Sequence, residues 1–95
     1  MHVISYKAIR DFVRKNPGAR SSLDSWYRTA KSAKWQSLAE VRKQYSHADI
    51  VGKYTVFNVK KNDYRLITRI RYRSQTIFII SILSHREYDK GKWNK

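Results

Sequence analysis

The sequence predicts an α+β fold, an N-terminal helical hairpin packed on a small, mainly antiparallel sheet. Three observations carry that reading. Apolar residues recur at helical spacing in two early stretches separated by Pro17. Over residues 54–89 the pattern changes to three strand-like runs joined by short polar turns, at 60–63 and 73–75. The middle run alternates, with Tyr64, Leu66, Thr68, Ile70 and Tyr72 on one side and Arg65, Ile67, Arg69, Arg71 and Arg73 on the other, the period of two that a strand requires.

Taken in order, Met1-His2-Val3-Ile4 has the composition of a short edge strand. Ser5 is placed to cap a helix that carries Ile9, Phe12 and Val13 on one stripe, and Pro17 stops that helix at about Asn16. From Ala19 a second helix sets Ala19, Leu23, Trp26, Tyr27 and Ala30 on one face, a core stripe against the first helix. Lys34-Trp35-Gln36 interrupts the pattern. Ser37-Leu38-Ala39-Glu40 then has the form of a capping box opening a short connecting helix with Leu38, Val41 and Tyr45 inward. Residues 46–52 read as a loop, with His47 a surface residue and Gly52 able to take the backbone turn into the first long strand.

In that strand Thr55, Phe57 and Val59 share one side, so Asn58 and Lys60 are expected on the face that carries the arginines. The third run, residues 76–84, is apolar on both sides, with Phe78, Ile80 and Ile82 opposite Ile77, Ile79 and Leu83, as in a strand covered on both faces. The short turns make the three strands sequential antiparallel neighbours. Trp93, in a polar tail, folds back as an anchor or meets a partner.

A chain of 95 residues makes one domain, expected over 1–95, and buries about two-thirds of its unfolded surface around one modest core. With 21 Lys+Arg against 7 Asp+Glu the net charge is +14, a field that attracts polyanions. No long apolar run, lipidation signal or signal-peptide core is present, so no membrane partner is expected. The absence of cysteine removes disulfides, thiolate catalysis and cysteine-based zinc sites, and fits a cytoplasmic protein. The seven acids are scattered except for Glu87 and Asp89, which read as ion-pair partners, so no metal and no cofactor is expected. There is no glycine-rich phosphate loop and no hydrolase motif.

One nucleic-acid chemistry needs neither metal nor protein nucleophile: attack by the 2′-hydroxyl of RNA on its own phosphate. It requires a base, cations to hold the charge growing on phosphorus, and an acid for the departing 5′-oxygen. Arg65, Arg69 and Lys60 are candidates for the phosphate, and His85 and Tyr88 for proton transfer, their deprotonated forms favoured by nearby cations. Residue chemistry alone stops at a basic nucleic-acid-binding α+β domain.

Phe57-Asn58-Val59-Lys60, Tyr64-Arg65-Leu66 and His85-Arg86-Glu87-Tyr88-Asp89, together with Trp26-Tyr27 and Ala48-Asp49-Ile50, resemble the HigB family of toxins in the RelE/ParE superfamily of bacterial toxin–antitoxin systems. The likeness runs from Met1 to Trp93. It implies a ribosome-dependent mRNA endonuclease that cuts without metal in the decoding site of the small ribosomal subunit. It also implies a HigA-type helix-turn-helix antitoxin, and operator DNA bound only through that antitoxin. Carried over by position, Arg65 would stabilise the scissile phosphate, Lys60 and Asn58 would help polarise or position it, and His85 and Tyr88 would exchange protons. Arg69, Arg71, Arg73, Lys61 and Lys90 would contact RNA. Two departures stand out: Lys61 where a small turn residue is expected, and Gly91-Lys92 where an apolar–acidic pair is expected. ParE-like members of the superfamily act on DNA gyrase, so a gyrase-directed toxin and a non-catalytic ribosome binder stay open.

Overall fold

The computed structural model describes residues 1–94. Its elements are β1 (His2–Ile4), α1 (Tyr6–Lys15), α2 (Arg20–Ser32), α3 (Leu38–Gln44), β2 (Asp49–Val51), β3 (Tyr54–Val59), β4 (Tyr64–Arg71), β5 (Thr76–Ser84) and α4 (His85–Asp89). Short 3-10 turns lie at Pro17–Ala19, where proline fixes the bend between α1 and α2, and at Lys92–Asn94.

The five strands order as β1-β5-β4-β3-β2. β1 runs parallel to β5, and every other pairing is antiparallel, so the long strands are sequential neighbours as their short turns dictate. One sheet face is covered by helices. Ile9 and Val13 of α1, Leu23, Trp26 and Ala30 of α2, Val41 of α3 and Trp35 close over Phe57, Val59, Leu66 and Ile77. Phe57 is the centre of this core, with ring centroids 5.4 Å from Trp26, 5.4 Å from Tyr45 and 6.3 Å from Trp35. The buried Thr68 hydroxyl is satisfied by donating to the Thr55 carbonyl at 2.8 Å.

The chain departs from its sequence pattern at four places. Residues 49–51, expected as loop, form the edge strand β2, which pairs with Tyr54 to Val56 across the turn that Gly52 makes at φ 60°. At Ser37 the capping box does not close, because the Glu40 carboxylate instead accepts from the Gln36 backbone N–H at 3.1 Å. A bulge opposite Ile67 and Thr68 shifts the parity of β5. Ile77, Ile79 and Ile82 therefore join the core while Phe78 and Leu83 face the other way. Among the described residues only the short α4 packs on that second face, and Ile80 stands 48% exposed.

The fourth departure is Lys60. The strand ends at Val59, and Lys60 and Lys61 both take left-handed backbone, at φ 50° and 59°. This turns Lys60 away from the arginine face and toward Gly18 on the helical side.

Candidate active site

The open face of the sheet carries Tyr54, Val56 and Asn58 of β3 beside Arg65, Ile67, Arg69 and Arg71 of β4, with Asn58 directly opposite Arg65 in the register. What makes a site of it is α4. Ser84-His85-Arg86-Glu87 forms a closed capping box: Ser84 Oγ accepts from the Glu87 N–H at 3.1 Å and Glu87 Oε1 accepts from the Ser84 N–H at 3.0 Å. A strand that would have run on instead breaks into a helix. Trp93 locks it, stacking on Tyr88 at 5.1 Å and donating its indole N–H to the Tyr88 carbonyl at 3.0 Å, so the tail tryptophan is an anchor.

This brings the Tyr88 ring to 5.5 Å from the Arg65 guanidinium. The two bound a cleft of about 420 Å³ lined also by Arg42, Ser46, His47, Asp49, Val56 and Asn58. An adjoining hollow of about 390 Å³ shares His47 and Asn58 and adds Lys61 and Asn62. Arg65 donates to two backbone carbonyls, Asn62 at 3.0 Å and Tyr64 at 3.3 Å. Among the described residues no carboxylate lies within ion-pair distance of it, so its positive charge faces the cleft uncompensated.

Tyr88 titrates opposite to the expectation that neighbouring cations favour its phenolate. Burial raises its pKa first, the Asp49 carboxylate raises it further, and the opposing pull of Arg65 does not win. The hydroxyl therefore stays protonated at neutral pH, as a proton donor requires. His85 opens α4, exposed, with Nδ1 2.8 Å from Asp89 Oδ2. It is not among the side chains that line the cleft, and it lies three residues before Tyr88 on α4. With Nδ1 beside the Asp89 carboxylate, Nε2 is the ring nitrogen available to a substrate. Glu87, expected as an ion-pair partner, serves in the helix cap instead.

The other candidates separate. Asn58, Arg65 and Tyr88 converge, and Lys61 stands next to them. Arg69 and Arg71 share the face but lie about 13 and 20 Å along the strand from Arg65 at the usual rise per residue, with Arg71 held 5.6 Å from the Phe78 ring. Arg73 sits in the exposed turn after β4, and Lys90 follows α4 into solvent. Sequence reasoning missed His47, Asp49 and Arg42. Arg42 explains the loop, since its Nε donates to the Ala48 carbonyl at 2.9 Å and its Nη2 lies 3.8 Å from Asp49, pinning residues 46–49 against the cleft. The Ala48-Asp49-Ile50 motif was the available signal. Among the described residues no group of three His, Asp or Glu side chains converges as a metal site, and no helix is long and apolar enough to cross a membrane.

Because α4 carries both Tyr88 and His85, its cap is testable apart from the chemistry. Ser84→Ala is expected to cost about 1 kcal/mol of helix stability and to raise amide exchange over residues 85–89 while leaving global unfolding nearly unchanged. Glu87 adds a pH dependence of definite sign. Its bonds to Ser84 hold its pKa below the ordinary 4.5, so the cap is intact above that value and is lost as pH falls through the lower, folded-state value. Exchange over α4 should rise on acidification in the wild type and should show no such step in Glu87→Gln.

Comparison with known proteins points the same way. The sequence model of the HigB toxin family, described as the RelE-like toxic component of a toxin-antitoxin system, matches residues 19–91. The chain is 30% identical over 92 residues to the mRNA interferase toxin HigB of Escherichia coli strain K12, covering 94% of this chain and 88% of that protein. It is 30% identical over 92 residues to the mRNA interferase HigB of Shigella flexneri, with the same coverage. To the mRNA interferase HigB of Escherichia coli O6:H1 it is 31% identical over 93 residues, 95% of this chain and 90% of that protein.

Proposed function

From the family to which the chain belongs, the HigB toxins, RelE-like toxic component of a toxin-antitoxin system, we infer that it is an mRNA interferase. It is an endoribonuclease that stops translation by cutting messages. The observation that carries the reading is the uncompensated Arg65 guanidinium against a protonated Tyr88 in a cleft bordered by Asn58. A passive ribosome binder uses a phosphate-holding cation but has no use for a proton donor set beside it.

The reaction proceeds by in-line attack. His85, its Nδ1 held by Asp89, takes the 2′-hydroxyl proton at Nε2. The 2′-oxygen bonds to phosphorus as the bond from phosphorus to the 5′-oxygen breaks, and Tyr88 gives its proton to the leaving 5′-oxygen. Arg65 holds the charge that grows on the non-bridging oxygens, and Asn58 orients them. The products are a 2′,3′-cyclic phosphate and a 5′-hydroxyl end. One observation favours a second assignment of the base: His47 lines the cleft, whereas His85 does not.

The chain has an antitoxin partner, as its family implies. A HigA-type helix-turn-helix protein whose acidic segment covers Arg65 and Arg69 fits the charge, and operator DNA is reached only through it. Dependence on the ribosome and a cytoplasmic site of action complete the reading, with the described residues acting as one domain.

The test incubates wild type, His85→Ala and His47→Ala with message alone and with programmed ribosomes, and maps new 5′ ends. Cuts only on ribosomes and bearing 5′-hydroxyls are expected, with a loss of about 10²–10⁴-fold in the variant that lacks the base. Full cleavage by His85→Ala with loss in His47→Ala would transfer the base role. No cuts from the wild type, despite tight binding, would leave a ribosome binder, and damaged DNA with intact messages would leave a gyrase toxin.

A further inference from the structure

Lys60 and Lys61 occupy left-handed backbone in succession, a conformation that residues with a β-carbon adopt at an energetic cost. The turn sends their ammonium groups to opposite sides of Asn58. Lys61 joins the hollow beside the cleft, while Lys60 lies in a separate depression of about 350 Å³ with Ser21, Ser22 and Ser25 of α2. Asn58 borders the cleft, the hollow and this depression alike, so it stands between the cleft and the helical side.

The depression is shaped for the ammonium group. A β-carbon at residue 18 would fall 2.7 Å from Lys60 Nζ, and Gly18 leaves that space open. The Asp63 carboxylate lies 3.9 Å away with the aspartate side chain 63% exposed, an ion pair too long and too solvated to hold the charge from another anion. Ser21 and Ser22 sit four and three residues before Ser25 on neighbouring rows of the helix, and all three line the depression together with Lys60. A compact point charge with hydroxyl donors is a phosphate-holding set.

We propose that Lys60, with Ser21, Ser22 and Ser25, forms a second phosphate subsite for a nucleotide flanking the cut, so that the message runs from Arg65 and Tyr88 across Asn58 to the helical side. The subsite rests on the nuclease reading. It assigns Lys60 to holding the strand and removes it from the scissile phosphate. Its effect therefore falls on binding, where Arg65 acts on the chemistry.

The experiment measures steady-state cleavage on programmed ribosomes for wild type, Lys60→Asn and Gly18→Ala, across a salt series. Asparagine tolerates the left-handed turn, and Gly18→Ala displaces the ammonium without deleting it. Lys60→Asn should raise KM about 3- to 10-fold with kcat unchanged and make the log–log salt slope shallower by about 0.7, one phosphate's worth. Gly18→Ala should raise KM in the same direction by less. A message with a neutral methylphosphonate at the flanking position separates message phosphate from ribosomal RNA phosphate. It should raise the wild-type KM to that of Lys60→Asn and leave Lys60→Asn unmoved.

Three results overturn the proposal while the wild type still cuts. They are an unchanged KM and slope in Lys60→Asn, a fall in its kcat at constant KM, or a wild type indifferent to the methylphosphonate. Failure of the wild type to cut any message would overturn the nuclease reading first, and the subsite with it.

Discussion

Arg65→Ala will lower single-turnover cleavage by about 10²–10³-fold, the effect of deleting one preorganised group that holds transition-state charge. Two consequences of the substitution act together. The positive charge at the phosphate disappears, and Tyr88 loses the one neighbour that pulls its pKa down, leaving burial and Asp49 to make the hydroxyl a weaker acid. Arg65→Lys should recover part of the rate, since it restores the charge but not the planar fork that grips two oxygens. The fold should be little affected, because the arginine donates only to the Asn62 and Tyr64 carbonyls near an exposed turn, bonds worth about 1 kcal/mol each. Rapid-quench cleavage on programmed ribosomes beside a thermal melt reads both quantities. A variant that melts normally and cuts at the wild-type rate would take Arg65 out of the mechanism.

Phe57→Ala will destabilise the fold by about 3–5 kcal/mol, the range for truncating a fully buried aromatic. Phe57 is 1% exposed and is the ring on which Trp26, Trp35 and Tyr45 all close, so its removal leaves a cavity bordered by three rigid aromatics that cannot collapse into it. Small domains carry about 5–15 kcal/mol in total, and such a loss brings a sizeable unfolded population within reach of mild warming. Phe57→Leu keeps most of the volume and should cost less than about 1.5 kcal/mol beyond the lost aromatic contacts. Urea titrations of the two variants separate these figures. Near-equal midpoints would mean that the core relaxes around residue 57.

The strands of the sheet could be read from the sequence because their determinants are local. Alternation in 64–72 and the short turns at 60–63 and 73–75 fix β3, β4 and β5 and their antiparallel order, and Pro17 divides α1 from α2. What escaped depends on residues far apart in the chain or on the geometry of one turn. The bulge in β5 moves Ile82 across the sheet without any change of composition. Lys60 leaves the arginine face because its φ is positive, which a lysine does not announce. The cleft itself needed two distant pieces, the loop that Arg42 pins and the helix that Ser84 and Glu87 cap. Ser84-x-x-Glu87 was present as a helix-start signal, but the apolar run before it and the shortness of α4 concealed it. Residue chemistry and family resemblance both named Arg65 and Tyr88 as candidates before geometry did, and the structure shows them 5.5 Å apart.

His2–Ile4 is made before the strand it pairs with. Its partner in the sheet, at Thr76 to Phe78, leaves the ribosome only after most of the chain has been synthesised at about 5–20 residues per second. Tyr88 follows later still, on a helix capped by the strand that β1 must join. Until then the growing chain has Arg65 but no lid over it. Closure of so long a loop is also slow relative to local helix formation. Arg65 and Tyr88 therefore meet only once β5 and α4 have both been made, so the cleft is completed after the strand that supplies its cation.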